Sequence, residues 1–444
     1  MFTPPTARNR VGFIALLLLL PEACRAQEVS VTPSKPAGVY DVKEQIEWSI
    51  EVSGADKAKV TEAHYTLKKG EWTVLREGTL DLSSGSAVVD ATLDDPGTVL
   101  LEIKAKAGGK EIRALGGAVA APEKITPSAP RPDDFDAFWA SKIQELKAIP
   151  ANAALEPADG GRPEVDYYKI RMDNIHGSHI YGQLARPKDA GPDKKYPAML
   201  IVQYAGVYGL PKTNVTQWAA RHWIALNIMA HDLPFDQPED FYKKAAATTL
   251  NNYAMQGAED RETSYFLRML LGCFQAADYL TGRDDWDGKT LVVTGTSQGG
   301  YQTLSTAALY PKITAMMANV PGGCDVTADD AGRAPGWPYW YTSFKGNPSQ
   351  KKVIETARYY DAVNFASRIK CPALVSMGLI DETCPAAGVM AAFNQIQGQK
   401  EEVILPHSDH HGTHNAQAAY FKRSEEWAQA LAAGKPVPAA PPAK

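Results

Sequence analysis

The segment Leu291 to Ala308, LVVTGTSQGGYQTLSTAA, constrains the fold of this chain more than any other. Leu291, Val292 and Val293 read as a buried strand, Gly295-Thr296-Ser297-Gln298-Gly299 as a sharp turn, and the small and polar residues beyond as the opening of a helix. A serine in such a strand-to-helix turn has a strained backbone. The positions two before and two after it are crowded by strand and helix and admit almost no side chain. Gly295 and Gly299 meet that demand. The helix N-terminus behind Ser297 adds a partial positive charge, and the Gln298 N–H points where an oxyanion would form. The pentapeptide also arises by chance in glycine-rich loops, so its meaning comes from the strand before it and the helix after it.

A strand of this kind needs a sheet. After residue 133, DDFDAFWASKIQEL spaces Phe135, Phe138, Trp139, Ile143 and Leu146 as one apolar helix face, which reads as core rather than as a ligand site. VDYYKIRM and HIYGQLARP form a β pair with a turn at Asp173 to Ser178. PAMLIVQYAG, WIALNIMAHD, WDGKTLVVTG, ITAMMANVP, ALVSMGLID and EEVILP are apolar strands alternating with helices, among them YFLRMLLGCFQAADYL and the closing NAQAAYFKRSEEWAQALAA. The expectation is an α/β domain over 133–433, a mainly parallel sheet with helices on both faces.

Residues 27–121 have a different texture. Short segments with period-two alternation, such as EQIEWSIEV and GTVLLEIKAKAGG, are separated by Gly, Pro, Asp and Ser at the spacing of an antiparallel, immunoglobulin-like sandwich. Such a module either binds carbohydrate or serves as a structural cap, and its fold does not decide between them. Residues 122–132 are a Pro-rich linker, and 434–444 (GKPVPAAPPAK) read as a disordered tail. Residues 1–26 read as a signal peptide: Arg8 and Arg10 precede the apolar run VGFIALLLLL, and small residues follow near Ala26. That run is too short to span a bilayer, so a secreted or periplasmic location is expected, with no membrane partner after processing. A formal charge of −5 argues against nucleic acid. Cys273, Cys324, Cys371 and Cys384 contain no CxxC pair, and a domain of this size does not require disulfides.

Ser297 needs a base to take its proton and a carboxylate to orient that base, both beyond the C-terminal ends of later strands. Asp381 ends ALVSMGLID, with Glu382 beside it as the fallback. The base lies in ILPHSDHHGTHN, which offers His407, His410, His411 and His414; the local pattern leaves His410 and His411 open. Four histidines with Asp409 are also the composition of a transition-metal site, but a loop without a helical frame seldom orients every ligand, and no metal or organic cofactor is expected. Between elbow and acid, GWPYWYTSF carries Trp337, Tyr339, Trp340, Tyr341 and Phe344, aromatic faces that either stack on sugar rings or pack on the domain. Trp337 and Trp340, with Tyr204, are the substrate-binding candidates. Tyr208 and the HDLPF loop are further candidates for the pocket wall.

GTSQGG, YYDAVNFASRIKCPALVSMGLIDETCP and DDFDAFW together resemble the acetyl xylan esterase / cephalosporin C deacetylase family of α/β-hydrolases, over roughly Pro127 to Trp427. The resemblance implies Ser297 as nucleophile, Asp381 as acid and His410 as base, with His411 where the family has Glu. It implies an oxyanion hole from the N–H groups of Gln298 and Ala205, with Tyr204 adjacent to the latter. Acetylated carbohydrate or a small acetyl ester is the implied substrate. The family's Arg-Gly-Gln motif is missing, and the corresponding stretch reads NIMAHDLPF. That motif helps shape the family's site surroundings and ring-shaped hexamer, so substrate range and oligomeric state stay open. Other hydrolase activities on the same three residues, and a non-catalytic carbohydrate- or metal-binding protein, are the competing readings.

Overall fold

The computed structural model describes residues 28–54, 60, 62–107 and 110–441. The expected signal peptide lies outside the described residues. The N-terminal strands are β1 (Glu28–Pro33), β2 (Val39–Tyr40), β3 (Gln45–Ser53), β4 (Glu62–Lys69), β5 (Thr73–Asp81), β6 (Ser86–Thr92), β7 (Gly97–Ala107) and β8 (Lys110–Ala120). They form two sheets, ordered β1-β3-β6 and β2-β8-β7-β4-β5. β3 alternates strictly, burying Ile46, Trp48, Ile50 and Val52, and these meet Leu67, Val99, Leu101 and Ile103 of the other sheet in one core. Period-two sequence thus becomes two sheets sharing an apolar interior.

The helix Phe135–Lys147 buries Phe135, Phe138, Trp139 and Leu146, as its spacing predicts. Beyond it come β9 (Ala154–Ala158), β10 (Val165–Asp173), β11 (His179–Pro187), β12 (Tyr196–Val202), β13 (Ile224–Ile228), β14 (Trp286–Thr296), β15 (Ala315–Asn319), β16 (Ala373–Gly378) and β17 (Lys400–Leu405). They form one nine-stranded sheet, ordered β17-β16-β15-β14-β12-β13-β11-β10-β9. β12 to β17 run parallel to one another, whereas β9, β10 and β11 pair antiparallel, β11 also with β13. Both faces are covered. Ala198, Leu200 and Val202 of β12 enter the large core, and Met199 between them enters a second core with Trp223, Val292, Leu374 and Trp427. Strand order reverses about β12, which lies between β14 and β13, so the loops after β12 and β14 open side by side at the C-terminal edge.

One expectation is corrected at the end of the chain. The segment from residue 434 is held as far as Ala439: Val437 is buried in the second core, and Arg423 donates to the carbonyls of Pro438 (2.9 Å) and Ala439 (2.5 Å). Arg423 pairs with Glu401 and has donors left over, and the Pro-rich segment, outside any helix or strand, presents free carbonyls to them. The four described cysteines are free thiols. Among the described residues, no helix is long and apolar enough to cross a membrane.

Candidate active site

β14 ends at Thr296 and the helix Gln298–Leu309 begins two residues later, leaving Ser297 alone at the turn with φ 59° and ψ −121°. A Cβ on Gly295 would stand 2.5 Å from the Gly299 carbonyl carbon, and one on Gly299 would stand 2.7 Å from the Val202 carbonyl oxygen. Neither distance is tolerable, so both glycines are required by backbone contact. The Ser297 N–H donates to Asn319 O (2.9 Å), and the Ser297 carbonyl accepts from Gly322 N (3.0 Å). The strained residue is therefore pinned from both sides.

His410 Nε2 lies 2.8 Å from Ser297 Oγ, and His410 Nδ1 lies 2.8 Å from Asp381 Oδ2. A carboxylate only accepts, so Nδ1 carries the proton and Nε2 is free to take one from the serine. The second oxygen of Asp381 accepts from Thr383 N (2.9 Å) and Cys384 N (2.8 Å), which fixes the buried carboxylate in one orientation. Glu382 turns the other way, onto Arg113. His407, His411 and His414 are exposed. The four histidines of the loop do not converge: among the described residues, the His, Cys, Asp and Glu atoms that cluster within 4.8 Å are those of Asp381, Cys384 and His410. Burial, and then the neighbouring Asp381, hold the Cys384 thiol well above its ordinary pKa, so it stays protonated and is a poor nucleophile.

Asn319 ties these segments together and carried no signal in the sequence beyond being a polar residue at the end of an apolar strand. Its Oδ1 accepts from Ser376 Oγ of β16 (2.6 Å), and its Nδ2 donates to Gln417 Oε1 (2.7 Å). Gln417 Nε2 in turn donates to the His410 carbonyl (3.1 Å). One side chain thus links the serine turn, the acid strand and the histidine loop.

The loop after β12 carries Tyr204 and Ala205. Gln203 O accepts from Gln302 Nε2 (2.8 Å) and Gln298 Nε2 (3.4 Å), which binds the loop to the serine helix. Tyr253 Oη donates to Gln298 Oε1 (2.6 Å) and accepts from Gly206 N (3.4 Å). His231, in the stretch NIMAHDLPF, lies 2.9 Å by Nε2 from Gly206 O and 2.6 Å by Nδ1 from Tyr265 Oη. A carbonyl accepts only, so Nε2 is the donor and Nδ1 the acceptor. Burial pushes the His231 pKa down to about 4, which keeps the ring neutral. Ala205 is therefore bracketed by two anchored residues.

The aromatic candidates separate. Tyr204 is 55% exposed and stacks on Tyr208 with centroids 4.7 Å apart. Trp337 is half-buried, its ring against Gly322 and its backbone bonded to Thr383 O and Gly323 N (2.8 Å each), between the serine turn and the acid loop. Trp340 is not available to a ligand and is a correction to the sequence reading. It is 3% exposed, donates Nε1–H to Ala254 O (2.8 Å) and packs edge-on against Phe266.

The acetyl xylan esterase family model matches residues 122–429. The acetyl esterase Axe7A of Xylanibacter ruminicola is 34% identical over 340 residues, 75% of each chain. Among solved structures, the acetyl xylan esterase of Paenibacillus sp. R4 aligns with TM-score 0.58 and 25% identity, covering 68% of this chain and 98% of that one. Acetyl xylan esterase 1 of Thermoanaerobacterium sp. JW/SL YS485 aligns with TM-score 0.58 and 23% identity, covering 68% and 96%, and shares the fold.

Proposed function

The chain belongs to the acetyl xylan esterase family and is a carbohydrate esterase, and on that premise we propose that it removes acetyl groups from xylan or xylo-oligosaccharides through Ser297, His410 and Asp381. The observation that carries this reading is the unbroken pair of 2.8 Å contacts from Ser297 to His410 to Asp381 at a strained strand-to-helix turn.

Ser297 Oγ attacks the acetyl carbonyl while its proton passes to His410 Nε2, and Asp381 stabilises the resulting imidazolium. The N–H groups of Gln298 and Ala205 hold the oxyanion. Collapse of the tetrahedral intermediate expels the sugar alkoxide, which takes the proton from His410 and leaves acetyl-Ser297. Water, deprotonated by His410, then releases acetate. Tyr204 and Trp337 are the aromatic surfaces for the sugar, a role supported by the exposure of the first and the second lying between serine turn and acid loop.

The same reading makes 1–26 an export signal, 27–121 an immunoglobulin-like module, 122–132 a linker and 133–433 the catalytic domain. Purified chain and its Ser297→Ala variant, assayed on p-nitrophenyl acetate, longer acyl esters and acetylated xylan with and without chelator, test it. Acetate release in the first and none in the second is expected. Equal rates would overturn the serine mechanism, chelator-sensitive turnover would point to metal, and a preference for long acyl chains would overturn the substrate.

A further inference from the structure

We propose that the N-terminal β module is a working part of the active site, with Arg113 a positioning residue that holds the Asp381 loop and neutralises the charge of Glu382 beside it. This rests on Asp381 and His410 being the catalytic acid and base.

Strand β8 presents residues 113, 115 and 117 on one face, away from its own core, into which Ala114 and Gly116 point. That face meets the acid loop on both sides of Asp381. Two residues before the acid, the Leu379 carbonyl lies so close to β8 that a Cβ on Gly117 would be 2.1 Å from it, and one on Gly38 would be 2.7 Å from Leu379 Cδ1. One residue after the acid, Glu382 accepts two parallel bonds from Arg113, Nη1 to Oε2 and Nη2 to Oε1, each 2.8 Å. Arg113 is itself oriented by Nε donating to Glu102 (2.5 Å), a buried carboxylate of β7. The forked pair is half-exposed and adds little to stability as a surface ion pair. Its position gives it another effect: the cation cancels an anion adjacent to the carboxylate that orients His410.

Other charges face the same pair. Glu71, from the turn between β4 and β5, and Tyr339, from the segment before β16, face both Asp381 and Glu382; Arg333 faces Glu71, Cys384 faces Asp381, and on the histidine loop His411 packs edge-on against the His410 ring with Asp409 beside it. Burial raises Glu71 to about 7, so it changes charge near neutral pH. The test is therefore run in both the native and Glu71→Gln backgrounds.

The acid limb of the kcat/KM profile on p-nitrophenyl acetate is measured for the full chain, Arg113→Met, Arg113→Lys, Glu382→Gln and the double variant Arg113→Met/Glu382→Gln, with thermal melts alongside. Arg113→Met exposes the Glu382 anion and is expected to move the limb up by about 0.3–1 pH unit, a roughly twofold to tenfold loss below the limb. Glu382→Gln is expected to move it down, the double variant to bring it back toward the native position, and Arg113→Lys to leave it in place while lowering turnover. A limb unmoved by Arg113→Met, with only a lower melting temperature, overturns the proposal. A double variant that stays shifted with the single also overturns it. If Arg113→Met does not fold, an unmoved limb in Glu382→Gln, whose side chain is half-exposed, is decisive against it. Failure of the catalytic reading itself is distinguished by full activity in Ser297→Ala.

Discussion

His231 Nε2 donates to the carbonyl oxygen of Gly206, so a buried imidazole anchors the backbone one residue beyond Ala205. The stretch that lacks the family's Arg-Gly-Gln supplies this histidine instead. If the Ala205 N–H is the second oxyanion donor, freeing Gly206 lets that donor drift. His231→Ala is expected to lower kcat by about 10–100-fold with KM little changed, less than the 10²–10³ of deleting a donor outright. His231→Gln, which keeps a donor for Gly206, should recover most of the loss. Steady-state kinetics of the two variants decide it.

The same ring makes stability depend on pH. Burial holds folded His231 at about 4, below its ordinary 6.5. The unfolded chain therefore binds a proton first as pH falls, and stability present above pH 6.5 is lost progressively toward pH 4. The full step is about 3 kcal/mol. Denaturant melts between pH 7 and 4.5 should show this loss in the native chain and a smaller one in His231→Gln.

Asp381→Asn leaves the shape of the acid loop intact, but an amide facing His410 Nδ1 favours the wrong tautomer. Turnover is expected to fall by about 10⁴, against about 10⁶ for Ser297→Ala or His410→Ala. Circular dichroism should be unchanged in all three, and kcat on p-nitrophenyl acetate measures the difference.

Trp337 and Trp340 should part company in the same assay. Trp340→Ala removes a buried indole and its bond to Ala254, at a cost of about 3–5 kcal/mol in stability. Trp337→Ala removes a half-buried ring beside the serine turn and should raise KM for xylo-oligosaccharide more than for p-nitrophenyl acetate. Melting curves and the two KM values check the pair.

The elements set by local rules were legible from sequence. The glycines around Ser297 announce a backbone contact, and Asp381 announces itself as the acid just past an apolar strand, which ends at Gly378. The choice between His410 and His411 was not local: it depends on Gln417 gripping the His410 carbonyl, and so on Asn319 from another strand. β9 was missed because ALEPA has no buried position except a half-buried last one, and hence no alternation to detect. Trp340 was misjudged because an aromatic cluster does not reveal which ring faces inward. Arg113 carried no signal, since its partner is 269 residues away.

Asn319 also makes the site a gauge of the sheet's integrity. Ser297 follows β14, Asp381 follows β16, and His410 is steadied by Gln417, all meeting at a residue that closes β15. Fraying at the β16–β17 edge is therefore expected to separate Ser297, His410 and Asp381 before the core opens. During gradual denaturation, enzymatic competence should vanish ahead of fluorescence or circular dichroism, and on refolding it should return last.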